Sequence, residues 1–317
     1  MTALNPTESE RGFTLIETLI GLVVTLIVVT ATLGLLDTQR ESNRTTRVRS
    51  EVQQNARYAL DMITRDLMEA GQGMDPNAVF GVVAASDGGS TNPDTLYAIF
   101  ADPATPIHVL KAPAVGEEKT VIKVKISCGD PVDDLAEGDL VYLASGSARG
   151  VARVNALTRN ENGNTCGGDP SMDLGTVTLD VTAVDGEGHG WVLQGNELAA
   201  ALVRANAAVY FVDKSDPASP ILARATSWDG SWEVVPIAHG VSDLQVELRF
   251  ATGATGEVAN GDDASPDNDF DDIDTIHIRI KGQARSKDKD IKGGALFETE
   301  YAISVSPRNQ LYTRNRN

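Results

Sequence analysis

From Phe13 to Leu36 the chain reads FTLIETLIGLVVTLIVVTATLGLL, 24 residues in which Glu17 is the only charged side chain. Twenty or so apolar residues in an unbroken run can cross a hydrocarbon core of about 30 Å as a helix. A cleaved secretory signal explains it less well, since the run is too long and lacks a small-x-small pattern at its far end. Arg11 is the only basic residue before the run, whereas Arg40, Arg44, Arg47 and Arg49 follow it. The positive-inside rule therefore does not fix the orientation.

The helical pattern continues past the span. Val48, Val52, Ala56, Ala59, Ile63, Leu67 and Ala70 are spaced three or four apart, which keeps one helical face apolar. Gly and Pro are absent from 35–70, and Gly71, Gly73 and Pro76 then supply a stop. The expectation is a single helix over residues 13–70, about 87 Å long at 1.5 Å per residue. Its first half is greasy all round. Its second half, residues 37–70, is amphipathic and needs a surface to lie against.

After Pro76 the periodicity changes to two. TVIKVKIS at 120–127 alternates Ile122, Val124 and Ile126 with Lys123 and Lys125. LQVELRF at 244–250 and IHIRIK at 276–281 alternate in the same way, as half-buried antiparallel strands do. Further strands are expected at 79–85, 95–101, 139–144, 150–157, 176–183, 207–212 and 299–305, with one short helical insert at 196–205. Helices do not alternate with these strands, which argues against a parallel βαβ sheet. The fold class is α+β: a long N-terminal helix packed on a β-rich, mainly antiparallel head formed by residues 71–317.

Charge bounds the partners. The net charge is −18. Residues 1–36 hold −2 and residues 37–70 balance, so −16 lies on 71–317. That argues against a nucleic-acid partner, since phosphate contacts need clustered Lys and Arg. Seven aspartates crowd residues 260–274, and Asp262, Asp263, Asp267, Asp269 and Asp271 are weak calcium candidates. Their spacing is not that of an EF-hand loop, and a solvated acidic loop is the plainer expectation; no cofactor is otherwise indicated. Cys128 and Cys166 are too few and too far apart for a zinc site but are a candidate disulfide outside the cytoplasm.

No constellation for catalysis is present. His108, His189, His239 and His277 are scattered, His277 at an outward strand position, and neither HExxH nor GxSxG occurs. SGSARG at 145–150 reads as a hairpin turn. Trp228 and Trp232 flank Asp229-Gly230, a tight-turn signal, with cross-strand aromatic packing as the simple reading and a sugar platform as the sharper one. The expectation is a protein that is not an enzyme.

Two groups of residues carry a resemblance. A short polar leader ending in Gly12, then Phe13 and TLIE with Glu17 fifth from the Phe, resembles the signal of type IV pilins and type II secretion pseudopilins. In addition, AAVYFVDK at 207–214, PILARAT at 220–226, HGVSDLQVELRF at 239–250 and YAISVSPRNQ at 301–310 resemble the PilW type of minor pilin. Residues 80–200 fall outside that second resemblance and read as a variable insertion.

The resemblance implies a leader, residues 1–12, cut between Gly12 and Phe13 by a prepilin peptidase, with methylation of Phe13. It implies a membrane and filament-core helix over 13–36, with Glu17 receiving a neighbour's new amino group during assembly. The implied place is the inner membrane with a periplasmic head, then the pilus surface. The implied partners are the major pilin, other minor pilins and the inner-membrane assembly platform, and the implied role is to initiate or cap the pilus. The alternatives are a J-like pseudopilin of a type II secretion tip complex and a membrane-anchored surface-binding module. The leader is unusually acidic for the family, and Gly34 stands where major pilins usually carry a proline in the span.

Overall fold

A computed structural model describes residues 14–71, 82–85, 92–101, 106–112, 121–128, 132–145, 148–159, 173–180, 198–228, 231–256, 273–287 and 296–307. Two compact units divide between Glu51 and Val52. Helix α1, Leu15–Glu69, is continuous over 55 residues, and within the first unit it is the whole of the described structure.

In the second unit, residues 52–69 of α1 bury the face that the spacing predicts. Val52, Ala56, Ala59, Ile63 and Leu67 are buried, joined by Leu60 and by the acid Asp66. Burying an aliphatic side chain such as Ile63 or Leu67 stabilises by about 1.5–3 kcal/mol. The helix stops where Gly71 takes φ +78° and donates its N–H to the Ile99 carbonyl at 2.7 Å. A left-handed φ costs glycine little, so the helix ends tied to the first layer of the head.

The strands are β1 (Val82–Ala85), β2 (Thr95–Ala101), β3 (His108–Ala112), β4 (Val121–Ser127), β5 (Leu140–Ser145), β6 (Ala148–Arg159) and β7 (Asp173–Asp180). They continue with β8 (Leu198–Asp213), β9 (Ile221–Trp228), β10 (Ser231–His239), β11 (Val241–Phe250), β12 (Thr255–Gly256), β13 (Ile273–Lys287) and β14 (Leu296–Val305). Strand β8, 16 residues long, is the spine. Its first half pairs with β3 at Leu198–Leu202 on one edge and with β5 at Ala201–Ala205 on the other. Its second half pairs with β2 at Ala205–Tyr210 and with β9 at Ala207–Asp213.

The two halves have different surroundings. Around the first, the ladder runs β3–β4–β7–β6–β5 and returns to β8, so six antiparallel strands close on themselves. Around the second, the sheet is open in the order β1–β2–β8–β9–β10. A separate antiparallel sheet runs β12–β11–β13–β14.

Each region has its own core. The closed ring is filled by Ile122, Val124, Ile126, Val141, Ala152, Val154, Val177, Leu179 and Leu202, with Val132 and Leu135 from the β4–β5 connection. The second core joins α1 from Ala56 onward to the open sheet and to the inner face of β11 and β13. Leu244, Val246, Leu248, Phe250, Ile276, Ile278 and Ile280 are all buried there, as alternation predicts. Gly282 of β13 lets α1 come close, since a Cβ there would sit 2.8 Å from Val52 Cγ1.

Two sequence expectations are corrected. Of the residues 196–205 expected to be helical, those from Leu198 are strand, the start of β8, and 196–197 lie outside the described residues. LAAALVRA favours a helix by intrinsic propensity, yet pairing on both edges decides the conformation here. Trp228 and Trp232 are not cross-strand partners either. Trp228 pairs with Ser231 and Trp232 with Ser227, so the two tryptophans are not opposite each other in the β9–β10 ladder. At SGSARG, Ser145 pairs with Ala148 across β5 and β6, and residues 146–147 lie outside the described residues.

Candidate functional site

The N-terminal apolar segment holds the chemistry singled out in the sequence. Gly12 and Phe13 lie outside the described residues. Helix α1 begins directly after Thr14, whose carbonyl accepts from the N–H groups of Glu17 (3.0 Å) and Thr18 (3.2 Å). Glu17 thus sits in the first turn, where a negative charge complements the helix dipole.

The segment's other polar side chains are neutralised locally. The hydroxyls of Thr18, Thr25, Thr30 and Thr32 donate to the carbonyls of Leu15, Gly21, Leu26 and Val28 at 2.7–2.8 Å. Each threonine therefore presents a methyl group with its donor satisfied, as lipid requires. Among the described residues Glu17 has only a long contact, accepting from the Thr14 hydroxyl at 3.5 Å on Oε2. Leu15, Ile16, Leu19, Ile20 and Leu22 around it are exposed. This helix is long and apolar enough to cross a membrane by length and composition. Glu17 is the only charged side chain in residues 14–36, and no cation among the described residues pairs with it.

A second polar constellation, which the sequence reading missed, fixes the helix in the second unit. Asp66 is buried and accepts from the Tyr210 hydroxyl of β8 at 2.6 Å and from Arg224 Nε of β9 at 2.7 Å. Arg224 also donates through Nη1 to Thr226 Oγ1 at 2.9 Å. Burial, then the bond to Asp66, pushes the Tyr210 phenol far above its usual range. For Arg224, burial pulls the guanidinium down, but the Asp66 carboxylate outweighs it and the net direction is up. An acid between Ile63 and Leu67, on the margin of the face expected to be buried, was the available signal.

The remaining predicted residues are placed as follows. Cys128, one residue past β4, is disulfide-bonded; Cys166, the chain's other cysteine, lies outside the described residues. So do Asp262, Asp263, Asp267, Asp269, Asp271 and His189. His277 is outward on β13, its Nδ1 2.7 Å from Ser304 Oγ. His108 is buried with Nε2 2.7 Å from Asp134 Oδ1, and His239 is exposed beside Arg285. Among the described residues, no three His, Cys, Asp or Glu side chains converge as a metal site.

No curated protein and no solved structure matches the chain significantly. Residues 9–33, which take in Gly12, Phe13, Glu17 and most of the apolar run, match the prokaryotic N-terminal methylation motif, the signal by which type IV pilins and pseudopilins are processed.

Proposed function

We propose that this chain is a minor pilin. It is cut after Gly12 by a prepilin peptidase, methylated at Phe13 and held in the inner membrane by residues 13–36 with residues 71–317 exported. It then enters a type IV pilus, where it initiates or caps assembly. The observation that carries this reading is the methylation motif over residues 9–33, with Glu17 inside it on an apolar helix.

Glu17 is the register device in this mechanism. Cleavage creates an α-amino group at Phe13, and a neighbouring subunit's Glu17 can receive it. A buried ion without its partner costs roughly 3–5 kcal/mol more than the satisfied pair. A subunit docked out of register would bear that cost, a factor of some hundreds to thousands in occupancy. The same motif serves pseudopilins of type II secretion, so the filament type is the finer part of the proposal.

The test is incorporation. Filaments sheared from cells that make this chain with its pilin system are purified and probed for it. The reading expects the wild-type chain at low stoichiometry and Glu17→Ala strongly depleted, although still made and processed. Wild-type chain absent from pili, or Glu17→Ala incorporated as well as wild type, overturns it.

A further inference from the structure

The free sheet edges among the described residues are not treated alike. Strand β1 has four residues and β12 has two. Alongside β12, Asp94 satisfies the open edge of β11: its N–H donates to the Leu244 carbonyl and its Oδ2 accepts from Val246 N–H, both at 2.7 Å. Edge strand β14 carries exposed Glu298 and Glu300. Short length, a covering group and charge are the usual means by which an edge is kept from pairing with another chain.

Strand β10 is longer, has no covering group among the described residues, and carries its charge, proline and bulge only at Glu233 and from Pro236 onward. It has nine residues and, among the described residues, pairs with β9 alone. Trp232, Val234 and Val235 are 38%, 57% and 44% exposed, and Glu233 is the strand's only acid. Consecutive exposed residues leave both faces of Trp232–Pro236 open to solvent, and no described strand lies on the outer edge. Pro236, followed by a register shift before Ala238, ends the segment that a new strand can follow, because proline has no N–H to offer.

We infer that the Ser231–Val235 edge of β10 is a strand-addition site for an extended segment of a different protein, apolar at alternate positions and basic opposite Glu233. Backbone groups of an edge are satisfied by another strand, and alternate side chains then provide specificity. A second copy of this chain fits badly: each copy brings −16 on residues 71–317 and a Glu233 of its own. Like charges across a ladder repel, whereas a Lys or Arg opposite Glu233 is attracted.

The test uses the full chain in lipid nanodiscs and two synthetic nine-residue peptides. Both alternate Thr and Val; one has a central Lys, the other a central Glu. Hydrogen exchange at Ser231–Val235 reports pairing, and titration reports affinity. The expected result is at least tenfold slower exchange there with the Lys peptide, about fivefold tighter binding than the Glu peptide, and loss of both effects in Val234→Pro. Because Val234→Pro can also disturb β9–β10 pairing, Glu233→Lys at an exposed position is the deciding variant: it should reverse the peptide preference. No protection at millimolar peptide, equal binding of both peptides, or dimerisation of the chain alone through Ser231–Val235 overturns the inference. None of these readouts involves N-terminal processing, so this test and the incorporation test fail independently.

Discussion

Replacing Asp66 by alanine removes the acceptor on which helix, β8 and β9 converge. The carboxylate is 8% exposed and Arg224 is 23% exposed, so little water can replace what is lost. Each bond to a charged partner is worth roughly 1.5–3 kcal/mol net, and breaking one side of a buried pair costs about 3–5 kcal/mol. Arg224 keeps its Thr226 contact and some solvent, which places the expected loss near the lower end, about 3 kcal/mol. For a chain of this size that lowers the midpoint by roughly 6 °C. The assay is thermal and urea unfolding of the full chain in detergent, with Asp66→Ala, Arg224→Ala and the double variant. The double variant should cost less than the sum of the singles by about 2 kcal/mol, because each single change leaves the other group stranded. A loss below about 1 kcal/mol for Asp66→Ala, or additivity of the two changes, refutes the reasoning.

Tyr210 gives a pH signature: its folded pKa is raised, so its stabilisation is complete below the unfolded value of about 10 and declines as pH rises above it. Urea midpoints between pH 9 and 11 should therefore fall more steeply for wild type than for Tyr210→Phe; equal slopes contradict this. Gly282→Ala should destabilise by about 1–3 kcal/mol by pushing Val52 off β13, and Val52→Ala should recover part of the loss in the same unfolding assay. Leu202→Ala opens a cavity in the closed ring and should cost about 2–5 kcal/mol, with increased hydrogen exchange in β5 and β6. By contrast Lys281→Met, which removes a half-exposed pair with Glu298 at 2.8 Å, should change stability by less than about 1 kcal/mol.

Local periodicity made much of this fold legible. The apolar spacing from Val52 to Ala70 identifies the buried helix face, and alternation locates β2, β4, β11 and β14 within three residues and the first part of β13. What alternation could not reveal is pairing between distant segments. The ring closes because β8 meets β5 through Leu140↔Ala205 and Tyr142↔Val203, a register set by packing far along the chain. It also turns residues 148–159 and 173–180, inside the stretch read as a variable insertion, into walls of a second core. Strand β10 was obscured by Pro236, tolerable only because no ladder bond is needed on an edge. Strand β9 was obscured by Arg224, a charge admitted to a half-buried sheet position by Asp66. At the candidate site the sequence exposed Gly12, Phe13 and Glu17, because a charge in an apolar run stands out by itself. The threonine back-bonds that leave Glu17 as the conspicuous polar group are conformational and carry no comparable sequence mark.

The central claim is that the N-terminal segment is an assembly signal, not a simple anchor. Mass spectrometry of the intact protein, after co-expression with a prepilin peptidase, tests it most directly. The account predicts loss of residues 1–12 and one added methyl group on Phe13. An intact N-terminus, or cleavage near residue 36, would contradict it.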